Sequence, residues 1–327
     1  MKNAKKNVSL FLTGGLGNQL FQFAAALVYS QGREIHVYEK LGAPRLNSKS
    51  EPEIFSFNIE DFAKVRRRKE FSRFLSKSSG YLLRSNIWPK NVERLWIWKF
   101  MAKAAAMFSH ILIQREALYP VVISDVGYRE LKSNKVLEKF SNPYLIGYFQ
   151  SAVWPEAVFE QLRMLKLDEE GPVLASLRRE SSRIRPVIVH IRRGDYKTET
   201  SFGLPAEKYY REALDIVDKK YSSHPIWVFS DEEIEARKIL NWLPESRLRF
   251  VSDVDGDSSA SLMAMRMGCA YVIANSTFSW WAAYLSESEN ALVIAPTPWF
   301  LAQKEPYRLI PSNWLRIEHQ NFYNPIQ

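Results

Sequence analysis

Short runs of β-branched and aromatic residues recur along the chain, separated by longer stretches of helical periodicity, and this alternation restricts the fold more than any other property. The runs are Val8–Leu12, Glu34–Tyr38, Tyr144–Phe149, Val187–Ile191, Ile226–Ser230, Leu248–Val251, Tyr271–Ala274 and Ala291–Ala295. Between them, Gln19–Tyr29, Glu207–Lys220, Ser259–Met267 and Trp280–Leu285 place apolar residues at helical spacing. Strands alternating with helices call for α/β layers on parallel sheets. No period of about 20 to 50 residues repeats, which excludes a solenoid. A chain of 327 residues is long enough for two domains. The polar stretch Asp168 to Arg185, with Gly171-Pro172 inside it, is the expected boundary, giving domains 1–170 and 171–327. Two such units facing each other would form a cleft for a ligand.

With 46% apolar and 25% charged residues the composition is that of a globular protein. The net charge of +9 raises the question of a polyanionic partner. Its distribution narrows the answer. Residues 171–327 hold 19 basic and 19 acidic side chains, whereas residues 61–120 hold 13 basic and 4 acidic ones and so carry the whole excess. A nucleic-acid partner for the protein as a whole is therefore not expected. The lone Cys269 forbids an internal disulfide. The N-terminal apolar run is too short for a signal segment, and the tract Ile97 to Ile113 is broken by Lys99, Lys103, Ser109 and His110. These features predict a cytoplasmic chain with no spanning helix.

Three constellations carry candidate chemistry. Thr13-Gly14-Gly15-Leu16-Gly17-Asn18-Gln19 joins the first strand to the first helix, where glycines permit close approach and helix-end amides favour an anion or a sugar hydroxyl. It is neither a dinucleotide fingerprint nor a Walker loop; a plain tight turn is the alternative. His190-Ile191-Arg192-Arg193-Gly194-Asp195-Tyr196 follows a strongly apolar strand. Two arginines and a carboxylate at that end of a parallel strand fit a phosphate clamp beside an acid or base, against a surface Arg–Asp pair as the alternative. Asn275-Ser276-Thr277-Phe278-Ser279-Trp280-Trp281 again leads from strand to helix, offering hydroxyls and a helix cap to a diphosphate, while the tryptophan pair reads as core. Asp253-Val254-Asp255-Gly256-Asp257 lacks the glycine and glutamate positions of a calcium loop and reads as a helix cap, with a D-x-D metal site as the alternative. The histidines at 36, 110, 190, 224 and 319 have no metal-ligand spacing.

Taken together and in this order, the motifs resemble those of bacterial α-1,2-fucosyltransferases of glycosyltransferase family 11. The likeness rests on Gly14 to Ala24, Gly147-Tyr148-Phe149-Gln150-Ser151, His190 to Tyr196, Phe229-Ser230-Asp231 and Asn275 to Leu285. No family motif falls between Ala43 and Val121. The resemblance implies a GT-B fold of two Rossmann-like domains, an N-terminal acceptor side and a C-terminal donor side. It implies inverting transfer of L-fucose from GDP-β-L-fucose to O2 of a galactoside, with no metal and no other cofactor. A related GT-B transferase with another nucleotide sugar or linkage is the alternative.

By the same resemblance, Arg192 holds the donor diphosphate, with His190, Arg193, Asp195 and Tyr196 on the same loop. Ser230 and Asp231 match the second donor-side motif, and Asn275, Ser276, Thr277 and Ser279 the third, while Gly15, Gly17, Asn18 and Gln19 of the N-terminal loop are further candidate donor contacts. Asp195 is the candidate base, with an arginine-orienting carboxylate as the other reading. Glu232, Phe202 and Ala270 depart from the usual pattern, which bears on acceptor details and on histidine-based catalysis. Relatives act in O-antigen or capsule assembly on lipid-diphosphate-linked oligosaccharides or make host-like glycans. The basic, aromatic segment 61–120 then has two readings, peripheral docking on the anionic inner face of the membrane or a solvated pair of helices. The oligomeric state is open.

Overall fold

The computed structural model describes residues 7–38, 52–68, 120–125, 142–194, 202–254, 256–301 and 305–319. The chain divides into two compact units, Met1–Leu165 with Pro306–Leu309, and Lys166–Glu305 with Ile310–Gln327.

The first unit is built on strands β1 (Val8–Phe11), β2 (Ile35–Tyr38), β3 (Val65–Arg68), β4 (Pro120–Asp125) and β5 (Asn142–Gly147), ordered β3-β2-β1-β5-β4 and all parallel. Helix α1 (Leu16–Ser30) lies against it and is buried nearly all round, because alanines 24–26 let it approach closely while Leu20, Phe21 and Phe23 fill the space. It stops where Gln31 and Gly32 turn left-handed at φ 47° and 80°, and the Arg33 guanidinium caps the carbonyls of Tyr29 and Ser30 at 2.6 and 2.9 Å. Gln22, fully buried, ties the end of β1 to the end of β5: its amide exchanges bonds with Thr13 N–H and C=O at 3.1 and 3.2 Å and donates to the Gly147 carbonyl at 2.8 Å. Short helices α2 (Val153–Ala157) and α3 (Phe159–Leu162) complete the described part of this unit.

The second unit begins with α4 (Pro172–Ile184) and continues through β6 (Val187–Ile191), α5 (Glu207–Tyr221), β7 (Ile226–Ser230), α6 (Glu233–Ile239), β8 (Leu248–Phe250), α7 (Ser258–Met265), β9 (Ala270–Val272), α8 (Thr277–Tyr284), β10 (Leu292–Thr297) and β11 (Leu315–Glu318). Its sheet runs β11-β10-β9-β6-β7-β8, wholly parallel. This is the doubly wound Rossmann order, with the chain reversing its direction of growth between β6 and β9. Val187, Val189 and Ile191 pack with Tyr209, Tyr210, Ala213, Leu214 and Val217 of α5 in its core. Gly268 is required there, since a Cβ would fall 2.4 Å from Ile188 Cγ1.

The α/β reading on parallel sheets holds for each unit, and some local expectations change. The polar stretch 168–185 is mostly helix: Pro172 starts α4, and Leu174, Leu177 and Ser181 bury one narrow stripe. Strands β3, β4 and β11 are not among the runs read from the sequence; all three lie at sheet edges, and in β3 and β11 Arg66, Arg67 and Arg68, or Leu315, Arg316 and Glu318, are exposed. Of the basic segment 61–120, residues 69–119 lie outside the described residues. In the described part, Arg66 pairs with Glu34 at 2.9 Å and Arg67 lies over the Phe55 ring. No described helix is long and apolar enough to cross a membrane.

Candidate active site

In a doubly wound sheet the crevice forms beyond the carboxyl ends of the strands at the reversal point. Here those ends are Ile191 of β6 and Val272 of β9, with Ser230 of β7 on the other side of β6. The segments leaving them are His190 to Gly194, Ser230-Asp231, and Asn275 to Ser279, so the fold brings three separate motifs to one edge.

Arg192 and Asp231 form the charged centre. Arg192 Nη1 lies 3.1 Å from Asp231 Oδ2, and the Arg193 N–H donates to Asp231 Oδ1 at 2.8 Å. Gly194 is needed beside them: a Cβ at that position would fall 2.4 Å from Asp231 Oδ2. Arg192 and Asp231 remain partly exposed, whereas Arg193 is buried and its guanidinium donates to the Pro205 carbonyl at 2.7 Å. Ser230 Oγ accepts from the Glu232 N–H and shapes the turn after β7.

His190 is buried, its carbonyl accepts from Tyr210 OH at 3.3 Å, and its ring lies 6.1 Å from that of Phe278. Desolvation first, and the Arg192 charge second, lower its pKa from 6.5 to about 3. It is therefore neutral at working pH and far too weak a base to take an acceptor proton. Burial likewise pushes the Tyr210 hydroxyl up to about 12. A histidine whose folded pKa lies below its unfolded value contributes stability that is present above pH 6.5 and is lost as pH falls towards 3. The wild type is expected to lose up to about 1.4 kcal/mol per pH unit in that window through this group. Thermal unfolding of His190→Gln should show a shallower acid decline, and parallel curves for the two proteins would contradict the assignment.

At the β9 end, Asn275 is 1% exposed and its Nδ2 donates to the carbonyls of Phe202, Gly203 and Trp299 at 2.8, 3.1 and 3.2 Å. Ser276 caps α8, its Oγ accepting from the Phe278 N–H at 3.3 Å. The amides of that helix end add partial positive charge next to Arg192's strand. Ser279 is fully buried and its hydroxyl donates to the Ala274 and Ser276 carbonyls, so it serves the turn. Trp280 and Trp281 are core residues.

Gly15, Gly17, Asn18 and Gln19 belong to the first unit, at the start of α1. Gly14 has φ 76°, and a Cβ there would fall 2.5 Å from Asn18 Nδ2. Gln19 spends both ends of its amide inside the fold, on the Gly14 carbonyl and the Ile54 N–H. Glu53 accepts from the Leu16 N–H at 2.9 Å, so a carboxylate of the chain already uses one amide of this helix end. Gln150, after β5, donates to Asn18 Oδ1 at 2.8 Å. Asp195 and Tyr196 lie outside the described residues. The aspartate-rich loop is a cap: Asp257 accepts from Ser259 and Ala260 N–H at 2.9 Å and Asp253 pairs with Arg249, while Asp255 lies outside the described residues. The framework roles of Pro205, Trp299 and Tyr210 were not read from the sequence, although the adjacent tyrosines on the apolar face of α5 were a signal that one hydroxyl reaches a strand backbone.

The second unit thus brings a paired arginine and the loop into a helix N-terminus to the reversal point of a Rossmann-like sheet. The chain belongs to glycosyl transferase family 11, whose profile matches residues 7–318. It is 35% identical over 138 residues to an alpha-1,2-colitosyltransferase of Escherichia coli, a match covering 40% of this chain and 47% of that protein, about half its length. It is 25% identical to the O-antigen biosynthesis glycosyltransferase WbnK of Escherichia coli over 327 aligned residues, covering 94% of this chain and 99% of that one. Among solved structures, the fucosyltransferase NodZ from Bradyrhizobium aligns over 86% of this chain and 93% of its own, at 15% identity and a TM-score of 0.47.

Proposed function

We propose that this glycosyltransferase moves L-fucose from GDP-β-L-fucose to O2 of a galactose residue in a glycan acceptor, with inversion and without a metal. The observation that carries the reading is Arg192, held at 3.1 Å by Asp231 on the loop after β6, whose neighbour β9 leads into the capped N-terminus of α8. As the bond between fucosyl C1 and the β-phosphate oxygen breaks, negative charge grows on the leaving GDP. A fixed guanidinium and helix-end amides stabilise that charge without having to reorganise. The acceptor O2 attacks C1 from the opposite face, and its proton passes to a carboxylate; we assign that part to Asp195, three residues after Arg192 on the same loop. Asp253 and Asp257 are engaged by Arg249 and by the α7 cap, which supports a metal-free reaction.

The 1,2 linkage is supported by the name of the colitosyltransferase, and a glycan of O-antigen type by that of WbnK. A lipid-diphosphate-linked oligosaccharide at the cytoplasmic face of the membrane is the acceptor we expect. The colitosyltransferase likeness also favours a second reading, since colitose is the 3-deoxy counterpart of L-fucose and the same site chemistry would serve a GDP-colitose donor. The test is to incubate the purified chain with GDP-fucose or GDP-colitose and a panel of β-1,3- and β-1,4-galactosides, and to locate the new linkage by NMR. An α-1,2-fucosyl product at a rate unchanged by EDTA is expected. Transfer from GDP-colitose alone would select the second reading, and strict dependence on Mn²⁺ would overturn the metal-free one.

A further inference from the structure

We infer that Asp231 is a positioning residue that acts through Arg192 and does not itself bind the donor. This rests on the reading of Arg192 as the diphosphate cation, and it departs from the family resemblance, which assigns Asp231 to donor contact.

Both oxygens of the Asp231 carboxylate are engaged by the loop leaving β6, Oδ1 by the Arg193 N–H at 2.8 Å and Oδ2 by Arg192 Nη1 at 3.1 Å. The third residue of that loop, Gly194, leaves room for Oδ2 by having no Cβ. Three consecutive residues thus shape one seat for one carboxylate from the neighbouring strand. Arg193 is anchored on its far side by the Pro205 carbonyl at 2.7 Å, which fixes the backbone that carries its N–H. An unbraced arginine side chain samples many rotamers; a brace keeps the guanidinium where charge develops on the leaving oxygen, so that it does not have to reorganise in the transition state. A carboxylate placed directly against a diphosphate would repel it, whereas one paired with the guanidinium holds that cation in place.

Orientation lost without loss of charge should appear in turnover. Asp231→Ala is expected to lower kcat by as much as about 10²-fold, the effect of misplacing a reacting partner by about 1 Å, with a much smaller change in donor KM. Asp231→Asn, which keeps an acceptor for the Arg193 N–H, should lose less, and it serves as the test variant if the alanine protein does not fold. Gly194→Ala should reproduce the Asp231→Ala phenotype, because its Cβ would occupy the place of Oδ2.

The decisive measurement is a double-mutant cycle on kcat and donor KM with thermal unfolding alongside. In an Arg192→Ala background, Asp231→Ala is expected to change kcat by less than about twofold, as for residues that act in series. Losses that multiply, or a loss carried by donor KM, would overturn the inference and return Asp231 to direct donor contact. Wild-type kinetics for Arg192→Ala alone would instead overturn the diphosphate reading on which it rests, so the two failures are distinct.

Discussion

Arg192→Ala protein is expected to fold normally and to turn over about 10²–10³-fold more slowly, the cost of removing one fixed group that stabilises charge on a leaving oxygen. The side chain is 30% exposed and packs in no core, so the effect on stability should be small. Its removal leaves Asp231 bonded to the Arg193 N–H, and the turn after β6 keeps its shape. Lysine at the same position restores the charge but not the planar fork, and it reaches Asp231 and the diphosphate at once less well. An intermediate kcat is therefore expected for Arg192→Lys. The neighbouring Arg193 cannot substitute, because it is buried and directed at Pro205. Steady-state kinetics with GDP-fucose, with thermal unfolding as the fold control, checks the set; wild-type turnover in the alanine protein would mean that other cations hold the diphosphate.

Two of the three strands that lead into the site are legible to the residue, whereas the third is expected at Tyr271–Ala274 and lies at Ala270–Val272. Val187–Ile191 and Ile226–Ser230 are buried strands in the middle of a parallel sheet, and such strands must be continuously apolar, so pattern and structure coincide. Edge strands obey no such demand, and Val65–Arg68 presents its arginines as a surface charge run would. Helix α4 was hidden for a related reason: its apolar stripe is Leu174 and Leu177 among charged residues, and its proline and glycine resemble a linker until they are seen as the N-terminus of a helix. Within the site, residue type marked the motifs but not the division of labour among them. Arginine, asparagine and serine serve a diphosphate and a buried turn through the same donors. Only burial and partner show that Arg193, Asn275, Ser279 and Gln19 face inward while Arg192 remains partly open. The order of the second sheet was also beyond pattern reading, because which strand lies beside β6 depends on long-range packing; that order places the Asn275 segment next to the Arg192 segment.

The inward role of Asn275 leads to the second large expected effect. Its amide joins the ends of three elements: the segment before α5 through Phe202 and Gly203, the strand β9 that precedes it, and the stretch after β10 through Trp299. Asn275→Ala leaves three carbonyls without this donor at a site 1% exposed, a loss of about 1–3 kcal/mol that should not vary with pH. Asn275→Asp is worse in a particular way. Its carboxylate would face three carbonyl oxygens in a buried pocket, and both desolvation and those dipoles oppose ionisation, so the folded pKa rises above the unfolded value of about 3.9. A group with a raised folded pKa contributes stability that is present below the unfolded pKa and is lost as pH rises through the folded one. The deficit of Asn275→Asp relative to wild type should therefore widen from about pH 4 upwards and exceed that of the alanine variant at pH 8. The acid loss through His190 is common to both proteins and cancels in their difference, so the gap narrows towards acid only as the introduced carboxylate takes up its proton. Urea unfolding of the three proteins from pH 4.5 to 8 measures this directly, and a pH-independent gap between aspartate and asparagine would show that position 275 is open to water. Because Phe202 and Gly203 border the segment that carries Asp195, turnover should fall with the loss of this anchor even where the fold survives, and more in the aspartate protein than in the alanine one.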